Sequence, residues 1–491
     1  MAYTIEYPRP DFERPDLRWQ PLDGTWHFVF DDDDLGLVEQ WHLRGLPSKA
    51  QKRSIQVPFA YQTPASGIGD RNTHEVLWYE REVPDVRTVA DRDQGNRLLL
   101  RFGAVDYEAT IWVNGRLAGS HRGGHVPFEV DITDAVSADK SALRITLRVR
   151  DSPYDLTQPR GKQYWAPEPE GIFYTPTSGI WQPVWLESVP MMRIGDSSHG
   201  TVLRADDHQS GKMNCNIAVL GRRAGSKCIV EVSASIGGKF VAAAQAELAK
   251  DKEFAALAVD LHLTPDQMDE LLPAITQLYH FNNDKCWQNG LALWSPEHPI
   301  LYEVELRLYD ENRAIADKVK TVTGVRSLSY TAGDGSFRLN GRPYFHALVL
   351  DQGYWPDTGL TAPFQGALRS DIELAKKMGF NGCRKHQKVE DPLFLYWADR
   401  LGFMVWGEMA NAYEFNAEYI DRFNEEWAAA VKRDINHPCV VAWTPTNESW
   451  GYPNLASSSE QRNHLRSLYF ATKYGPSRPD SIPMLTCKTE P

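Results

Sequence analysis

Paired cysteines are missing from this sequence. Its six cysteines occur without any C-x-x-C spacing, which argues against a disulfide scaffold or a cysteine-based metal site in a chain this long. We therefore expect reduced thiols and a cytoplasmic location. The sequence also lacks a run of 18 apolar residues, and its first residues form neither a basic segment nor an apolar one. We accordingly predict no membrane-spanning helix and no cleaved secretion signal.

An excess of positive charge is absent as well. The formal net charge is −12, which disfavours nucleic acid and anionic membranes as partners. Hydrophobic residues make up 42% of the chain and charged residues 24%, as in ordinary folded proteins. Aromatic side chains are abundant, with 16 Trp and 20 Tyr. Because ring faces stack on the apolar faces of sugars, this content favours a carbohydrate or another small-molecule ligand. No cofactor or metal is predicted.

The length of 491 residues predicts about three domains. Short alternating strands separated by turn signals run from residue 22 to 189, which is typical of a jelly-roll-like β-sandwich over residues 1–189. Asn114-Gly115 is a two-residue hairpin signal inside it. A second β-rich part, residues 190–332, suits an immunoglobulin-like sandwich. Within that part, residues 247–291 are polar and irregular, and their pattern predicts no particular element.

Strand-helix alternation begins after residue 332 and predicts a partial (β/α) barrel of the TIM type with about four βα units over residues 333–491. Helices are expected at 366–378, with Leu368, Ile372, Ala375 and Met378 on one apolar face, at 392–401, at 416–436 and at 459–474. Ligands of such barrels meet the C-terminal strand ends. The polar and aromatic residues at or just after those ends are Asp351, Arg384, His386, Trp406, Glu408, Asn447, Glu448 and Trp450.

Five separated segments in this order resemble glycoside hydrolase family two, which includes β-galactosidases, β-glucuronidases and β-mannosidases. They are "SGIWQPVWLE" (178–187), "LWSPEHPILYEVELRLYD" (293–310), "GVRS" (324–327), "FRLNGRPYF" (337–345) and "TNESWG" (446–451). The resemblance implies hydrolysis of O-glycosidic bonds in β-glycosides. It implies that Glu448 is the general acid/base, that Asn447 hydrogen bonds the sugar 2-hydroxyl, and that Arg384 contacts the nucleophile.

Four further residues are assigned to substrate binding by their position at strand ends alone, His386, Asp351, Trp406 and Glu408, and Trp450 is assigned to stacking on a sugar. The histidine, the two tryptophans and Arg384 have a structural alternative. A rim histidine can simply bond a neighbour, the two tryptophans can be packing residues, and Arg384 itself can form a salt bridge inside the barrel.

The family resemblance also requires a second carboxylate, the nucleophile, on the seventh barrel strand at about 5 Å from the acid/base. Residues 333–491 supply 159 positions, whereas such a barrel takes about 250, so strand-helix units five to eight are expected to be missing. Retaining activity is therefore doubtful. The alternatives are an acid/base enzyme repurposed for dehydration, isomerisation or cyclisation, an inverting hydrolase in which Glu408 or another rim carboxylate opposes Glu448, and a non-catalytic carbohydrate-binding protein.

Two expectations concern surfaces. An incomplete barrel exposes the edges of its first and fourth strands, and unpaired edges invite pairing with another chain, so a homo-oligomer is predicted. In the binding-protein alternative, the aromatic-rich segment 164–181 reaches the mouth of the barrel.

Overall fold

The computed structural model describes residues 6–47, 52–136, 142–279, 287–330 and 333–474. These residues form two β-sandwiches followed by a parallel sheet with helices. The predicted fold class is thus confirmed, whereas the exact boundaries at residues 189 and 332 stay predictions.

The first region is a sandwich of two antiparallel sheets, ordered β1-β12-β5-β9 and β3-β2-β4-β10-β7-β8. Its elements are β1 (Arg18–Pro21), β2 (Gly24–Phe30), α1 (Trp41–Arg44), β3 (Arg53–Val57), β4 (Val76–Pro84), α2 (Val89–Asp93), β5 (Arg97–Phe102), β6 (Val105–Asp106), β7 (Glu108–Val113), β8 (Arg116–Arg122), β9 (Phe128–Asp131), β10 (Ala142–Arg150), β11 (Gly179–Ile180) and β12 (Val184–Val189). Alternate residues of β5, Leu98, Leu100 and Phe102, are fully buried in the core between the sheets. The predicted hairpin is present, since Asn114 and Gly115 join β7 to β8 with φ of 53° and 82°.

The second region is also a sandwich. Its elements are β13 (Arg193–Ile194), β14 (Val202–Arg204), β15 (Lys212–Leu220), β16 (Cys228–Ile236), β17 (Lys239–Leu248), β18 (Phe254–Asp260), α3 (Pro265–Tyr279), β19 (Trp287–Gln288), β20 (Leu291–Ala292), β21 (Tyr302–Tyr309) and β22 (Ile315–Thr323). One sheet has the order β17-β16-β21-β22, and the other joins β13, β15, β14 and β18.

Part of the unassigned segment 247–291 is the helix α3. Its start carries a signal that the sequence already contained: the Thr264 backbone N–H donates to Gln267 Oε1 at 2.9 Å, and the Gln267 N–H donates to Thr264 Oγ1 at 3.3 Å. This reciprocal pair is a capping box, and Pro265 at the first helical position reinforces it.

The third region is a four-stranded parallel sheet, β26-β27-β28-β29, alternating with helices. Its elements are β23 (Leu328–Ser329), β24 (Arg338–Leu339), β25 (Arg342–Pro343), β26 (Leu348–Asp351), α4 (Gln365–Lys377), β27 (Gly382–Lys385), α5 (Pro392–Leu401), β28 (Met404–Glu408), α6 (Ala417–Asp434), β29 (Val440–Thr444) and α7 (Ser459–Tyr474). The four predicted helices are confirmed within two residues at either end.

One residue predicted to lie on the apolar face of α4 is outside the helix. Met378 is 71% exposed, whereas Leu368, Ile372 and Ala375 on α4 are buried. The helix ends at Lys377, and Gly379 turns the chain with φ of 95°, so Met378 no longer continues the apolar face.

The two edges of the parallel sheet differ in exposure. Leu350 on β26 is 52% exposed, whereas all five residues of β29 are buried. Self-association through these edges stays a prediction. Among the described residues, no helix is both long and apolar enough to cross a membrane.

Candidate active site

The C-terminal strand ends bring three predicted site residues together. Arg384 Nη1 on β27 donates a hydrogen bond of 2.9 Å to Glu408 Oε2 on β28 and one of 3.2 Å to Asn447 Oδ1 after β29. In the register of the sheet Arg384 lies beside Trp406, and side chains at paired positions of parallel strands share a face. Through its two hydrogen bonds, Arg384 links the ends of three neighbouring strands. We call the face of the sheet on which Arg384, Glu408 and Asn447 meet the inner face.

Glu408 is the buried carboxylate of this group. Its residue is only 2% exposed, and its Oε1 accepts a hydrogen bond of 2.8 Å from the Gln387 backbone N–H. Burial raises the pKa of the Glu408 carboxyl to about 7, against the opposing effect of Arg384, and the charge of nearby Glu448 adds to the rise. Near neutral pH Glu408 is thus divided between its protonated and ionised forms.

Glu448 lies in a tight turn directly after Asn447. The turn is closed by the Trp450 N–H, which donates to the Asn447 carbonyl at 2.9 Å. Glu448 and Ser449 have φ of 49° and 60°, a left-handed conformation that L-residues adopt at a free-energy cost and that is concentrated at functional sites. The turn keeps Asn447 buried while Glu448 is exposed, so the carboxylate is accessible at the edge of the inner face.

His386 follows β27 and is neutral at neutral pH. Its Nδ1 lies 3.9 Å from Glu408 Oε1, too far for a hydrogen bond. Burial lowers the pKa of His386 to about 4, and the positive charges of Lys162 and Arg384 act in the same direction. An imidazole of this kind can orient a hydroxyl group, but it holds no proton to donate as an acid at pH 7.

Several polar atoms at the strand ends form no hydrogen bond within the described residues, although they are buried. They are Asn447 Nδ2, Trp406 Nε1, His386 Nδ1, and both Oε1 and Nε2 of Gln387. Since buried polar atoms are paired in most proteins, such a concentration around Arg384 suits a ligand that carries many hydroxyl groups.

Gln387 is a site residue that the sequence does not predict. It has φ of 53° and is 2% exposed, and it holds Glu408 through its backbone N–H. The run "RKHQK" contains five polar residues, and neither charge nor spacing distinguishes Gln387 from its neighbours. Its role depends on a backbone conformation that the sequence does not reveal.

Asp351 is not brought to the inner face. Its carboxylate forms an ion pair with Lys385 Nζ and accepts a 2.7 Å hydrogen bond from the Gly353 N–H. Lys385 follows Arg384 on β27, so it points to the opposite face of the strand. There Lys385 Nζ also lies 2.8 Å from Glu390 Oε2. The substrate-binding role of Asp351 stays a prediction, although its ion pair with Lys385 on the opposite face favours a structural role.

The two predicted tryptophans lie in different surroundings. The Trp406 ring packs at 5.6 Å from the His346 ring. The Trp450 ring lies 5.4 Å from Tyr413 and 6.1 Å from Phe173, and Phe173 belongs to the aromatic segment 164–181 of the first sandwich. That segment thus reaches the strand-end loops through Phe173. Its last residue contacts these loops as well: Trp181 is buried, Lys388 Nζ lies 5.7 Å from the centre of its ring, and the Thr361 hydroxyl donates a 2.7 Å hydrogen bond to its carbonyl.

One group of possible metal ligands lies elsewhere in the third region. Donor atoms of Asp399, His437 and Cys439 lie within 4.8 Å of one another. However, His437 Nδ1 and Asp399 Oδ2 are only 2.6 Å apart, shorter than the roughly 3.3 Å that separates two ligands on a tetrahedral zinc ion. The pair is a direct hydrogen bond and does not suit a metal.

The fold and the polar residues of the inner face are those of a glycosidase-like protein, and comparison with known families identifies the family. Models described as "Glycosyl hydrolases family 2, sugar binding domain", "Glycosyl hydrolases family 2" and "Glycosyl hydrolases family 2, TIM barrel domain" match residues 19–190, 204–326 and 334–481. The chain belongs to glycoside hydrolase family 2.

Its relatives include β-glucuronidases. The dog (Canis lupus familiaris) enzyme is 27% identical over 510 residues, which cover 96% of this chain and 69% of the relative. The human (Homo sapiens) enzyme is 27% identical over 514 residues, with the same coverage. A solved structure of β-glucuronidase from Ruminococcus gnavus in complex with D-glucuronic acid superposes with a TM-score of 0.71 at 19% identity, covering 99% of this chain and 74% of that one.

Proposed function

We propose that this chain binds β-D-glucuronides at the inner face and takes part in hydrolysing their O-glycosidic bond, with Glu448 as general acid/base. The observation that carries the proposal is the Arg384 link between Glu408 and Asn447 beside the Glu448 turn. The β-glucuronidase relatives support this choice of sugar.

The residues have distinct roles in the proposal. The exposed Glu448 carboxyl protonates the glycosidic oxygen as the bond breaks, which helps most when the leaving group is a poor one. Asn447 Nδ2 and the Gln387 amide bind sugar hydroxyls, since these atoms are buried and have no protein partner in the described residues. Glu408 is a positioning residue that holds Arg384 and, through Arg384, Asn447.

The covalent route needs an ionised carboxylate about 5 Å from the acid/base. Glu408 is unsuited to that task, because burial favours its protonated form up to about pH 7 and because Arg384 and the Gln387 N–H engage both of its oxygens. Turnover with retention of configuration therefore requires a carboxylate from outside the four described barrel strands.

Turnover of phenyl β-D-glucuronide tests the proposal, with the matching galactoside and mannoside as comparisons. We expect preference for the glucuronide, and we expect Glu448→Gln to lower kcat/KM by about 10²- to 10⁴-fold. Glu414→Gln, at another exposed carboxylate near the site, should change little. Unchanged hydrolysis by Glu448→Gln would contradict the role of Glu448, and NMR of the first-formed anomer would show whether configuration is retained or inverted.

Carbohydrate binding without turnover is the second candidate. The raised pKa of Glu408 favours it, because that group provides no ionised partner for Glu448 in acidic solution. Calorimetry separates the two candidates: micromolar to millimolar binding of methyl 1-thio-β-D-glucuronide by a chain that leaves phenyl β-D-glucuronide intact would support binding alone.

A further inference from the structure

Four aromatic rings from two regions converge beside Glu448. Trp165 and Phe173 come from a loop of the first sandwich, whereas Tyr413 and Trp450 follow β28 and β29. The Tyr413 ring lies 5.8 Å from Trp165, 6.3 Å from Phe173 and 5.4 Å from Trp450. Phe173 closes the group at 5.6 Å from Trp165 and 6.1 Å from Trp450. We call these four residues the aromatic platform.

Backbone contacts fix the sandwich loop against the strand ends. The Gly161 N–H donates to the Asn411 carbonyl at 2.9 Å, and the Tyr413 hydroxyl donates to the Gly161 carbonyl at 2.7 Å. Gly161 has φ of 62°, and a Cβ atom there would lie 3.1 Å from the Gln387 carbonyl oxygen. The loop that carries Trp165 and Phe173 is thus packed against the backbone of Gln387 at Gly161.

The platform is accessible from solvent. Trp165 is 37% exposed, and Phe173, Tyr413 and Trp450 are half-buried. Exposed aromatic clusters of this kind mark surfaces that bind a partner. Trp450 is two residues from Glu448 in the chain, and its contact with Phe173 connects the Glu448 turn to the loop of the first sandwich.

We propose that the aromatic platform binds the aglycone of an aryl β-glycoside, a site that spans the first sandwich and the barrel. A planar aromatic aglycone can stack on or edge against these rings, and each such contact contributes more than the buried area alone. The inference rests on the proposed function, because Glu448 must lie between sugar and aglycone.

Two thioglycosides that resist hydrolysis test this site without relying on turnover. The probes are 2-naphthyl and methyl 1-thio-β-D-glucuronide, measured by isothermal titration calorimetry. We expect the naphthyl compound to bind at least about 10-fold more tightly, from ring contacts with the platform. Equal affinity for the two compounds would overturn the platform and leave the proposed function intact. Binding of neither compound would overturn the proposed function, and the platform with it.

Substitution of single platform residues shows where the naphthyl group binds. Trp165→Ala or Phe173→Ala should lower affinity for the naphthyl compound about 3- to 10-fold and leave that for the methyl compound unchanged. The control is Phe240→Ala, an aromatic residue 63% exposed on the second sandwich, which should alter neither affinity. If both ring variants retain the native preference for the naphthyl compound, the platform is not its binding site.

Discussion

Arg384 and Lys385 are consecutive basic residues on one strand, and each pairs with carboxylates, yet the two sides of the strand differ. On the inner face Arg384 is partly exposed, at 23% of its side chain, and its partner Glu408 has a raised pKa. On the outer face, defined by Lys385, Asp351 and Glu390, the Lys385 side chain is 3% exposed. Lys385 and its carboxylate partners satisfy one another there.

The pKa values show the difference most clearly. Burial alone would raise the pKa of Glu390, but Lys385 and Lys388 lower it to about 2. Burial raises the pKa of Glu408 to about 7 despite Arg384. These opposite shifts support different tasks for the two groups: we expect the outer network to stabilise the fold and the inner group to bind a ligand.

The largest expected effect is on stability, from Lys385→Met on the outer face. The change leaves Glu390 buried with one cation fewer and removes a contact of 3.7 Å between Lys385 Nζ and the Phe394 ring. Breaking a buried ion pair in this way costs about 3–5 kcal/mol. Urea unfolding would measure the loss, with the exposed Lys212→Met as control. A loss no greater than that of the control would show that the outer network is not structural.

A smaller effect concerns the pH dependence of stability. The pKa of Glu408 is about 7 when folded and about 4.3 when unfolded, so the folded state holds the proton more tightly. Its contribution is unfavourable above pH 7 and vanishes as the pH falls below 4.3. Between pH 5 and pH 8 the native protein should therefore lose about 2–3 kcal/mol more stability than Glu408→Gln loses. The free energy of unfolding, measured at both pH values, tests this.

Glu390→Gln is the matched control on the outer face. Because the folded pKa of Glu390 is lowered, its favourable contribution is complete above about pH 4.3 and is lost only as the pH falls towards 2. This variant should be less stable by the same amount at pH 5 and pH 8. If Glu390→Gln altered the pH 5 to 8 slope while Glu408→Gln did not, the contrast between the two faces would be wrong.

A substitution in the turn at Glu448 should change the free energy of unfolding by about 1 kcal/mol or less. Ser449→Gly removes the cost of a left-handed L-residue, partly offset by the greater freedom of glycine in the unfolded chain. We expect slightly higher thermal stability. Arg313→Gly, at φ of 63° in the β21–β22 turn, should raise stability similarly without affecting glycoside binding. Destabilisation by Ser449→Gly would show that the turn is not strained.

The smallest effect concerns the exposed edge of β26. If self-association uses this edge, Leu350→Lys should reduce dimerisation at micromolar concentration, because it places a charge on an exposed apolar strand. Light scattering measures the change. A native chain that is already a monodisperse monomer would contradict the predicted oligomer.

Much of the fold could be predicted from periodicity and caps. The helix from Pro392 to Leu401 follows from Asp391 as N-cap and Gly402 as C-terminal stop, and both are observed. The start of α3 is an equally local signal, since Thr264 and Gln267 have the capping-box spacing, but the polar sequence around it predicts no element. The sequence does not predict the exact end of α4, because it depends on where Gly379 turns the chain.

The site could be predicted only in part. Strand-end position identified Arg384, Glu408 and Asn447, which the structure brings together. The same rule cannot tell which face a terminal side chain takes, and so it grouped Asp351 with them. The left-handed backbone of Gln387 and the approach of Trp165 from another domain depend on tertiary contacts that local sequence does not encode.

The most direct test of the difference between the two faces is a crossed measurement on Arg384→Met and Lys385→Met. Affinity for methyl 1-thio-β-D-glucuronide and the free energy of unfolding are measured for both, at low temperature where each is folded. We predict that Arg384→Met loses more than about 10-fold in affinity and only about 1–2 kcal/mol in stability. Lys385→Met should lose about 3–5 kcal/mol and keep its affinity. Native affinity in Arg384→Met would contradict the assignment of the inner face to the ligand.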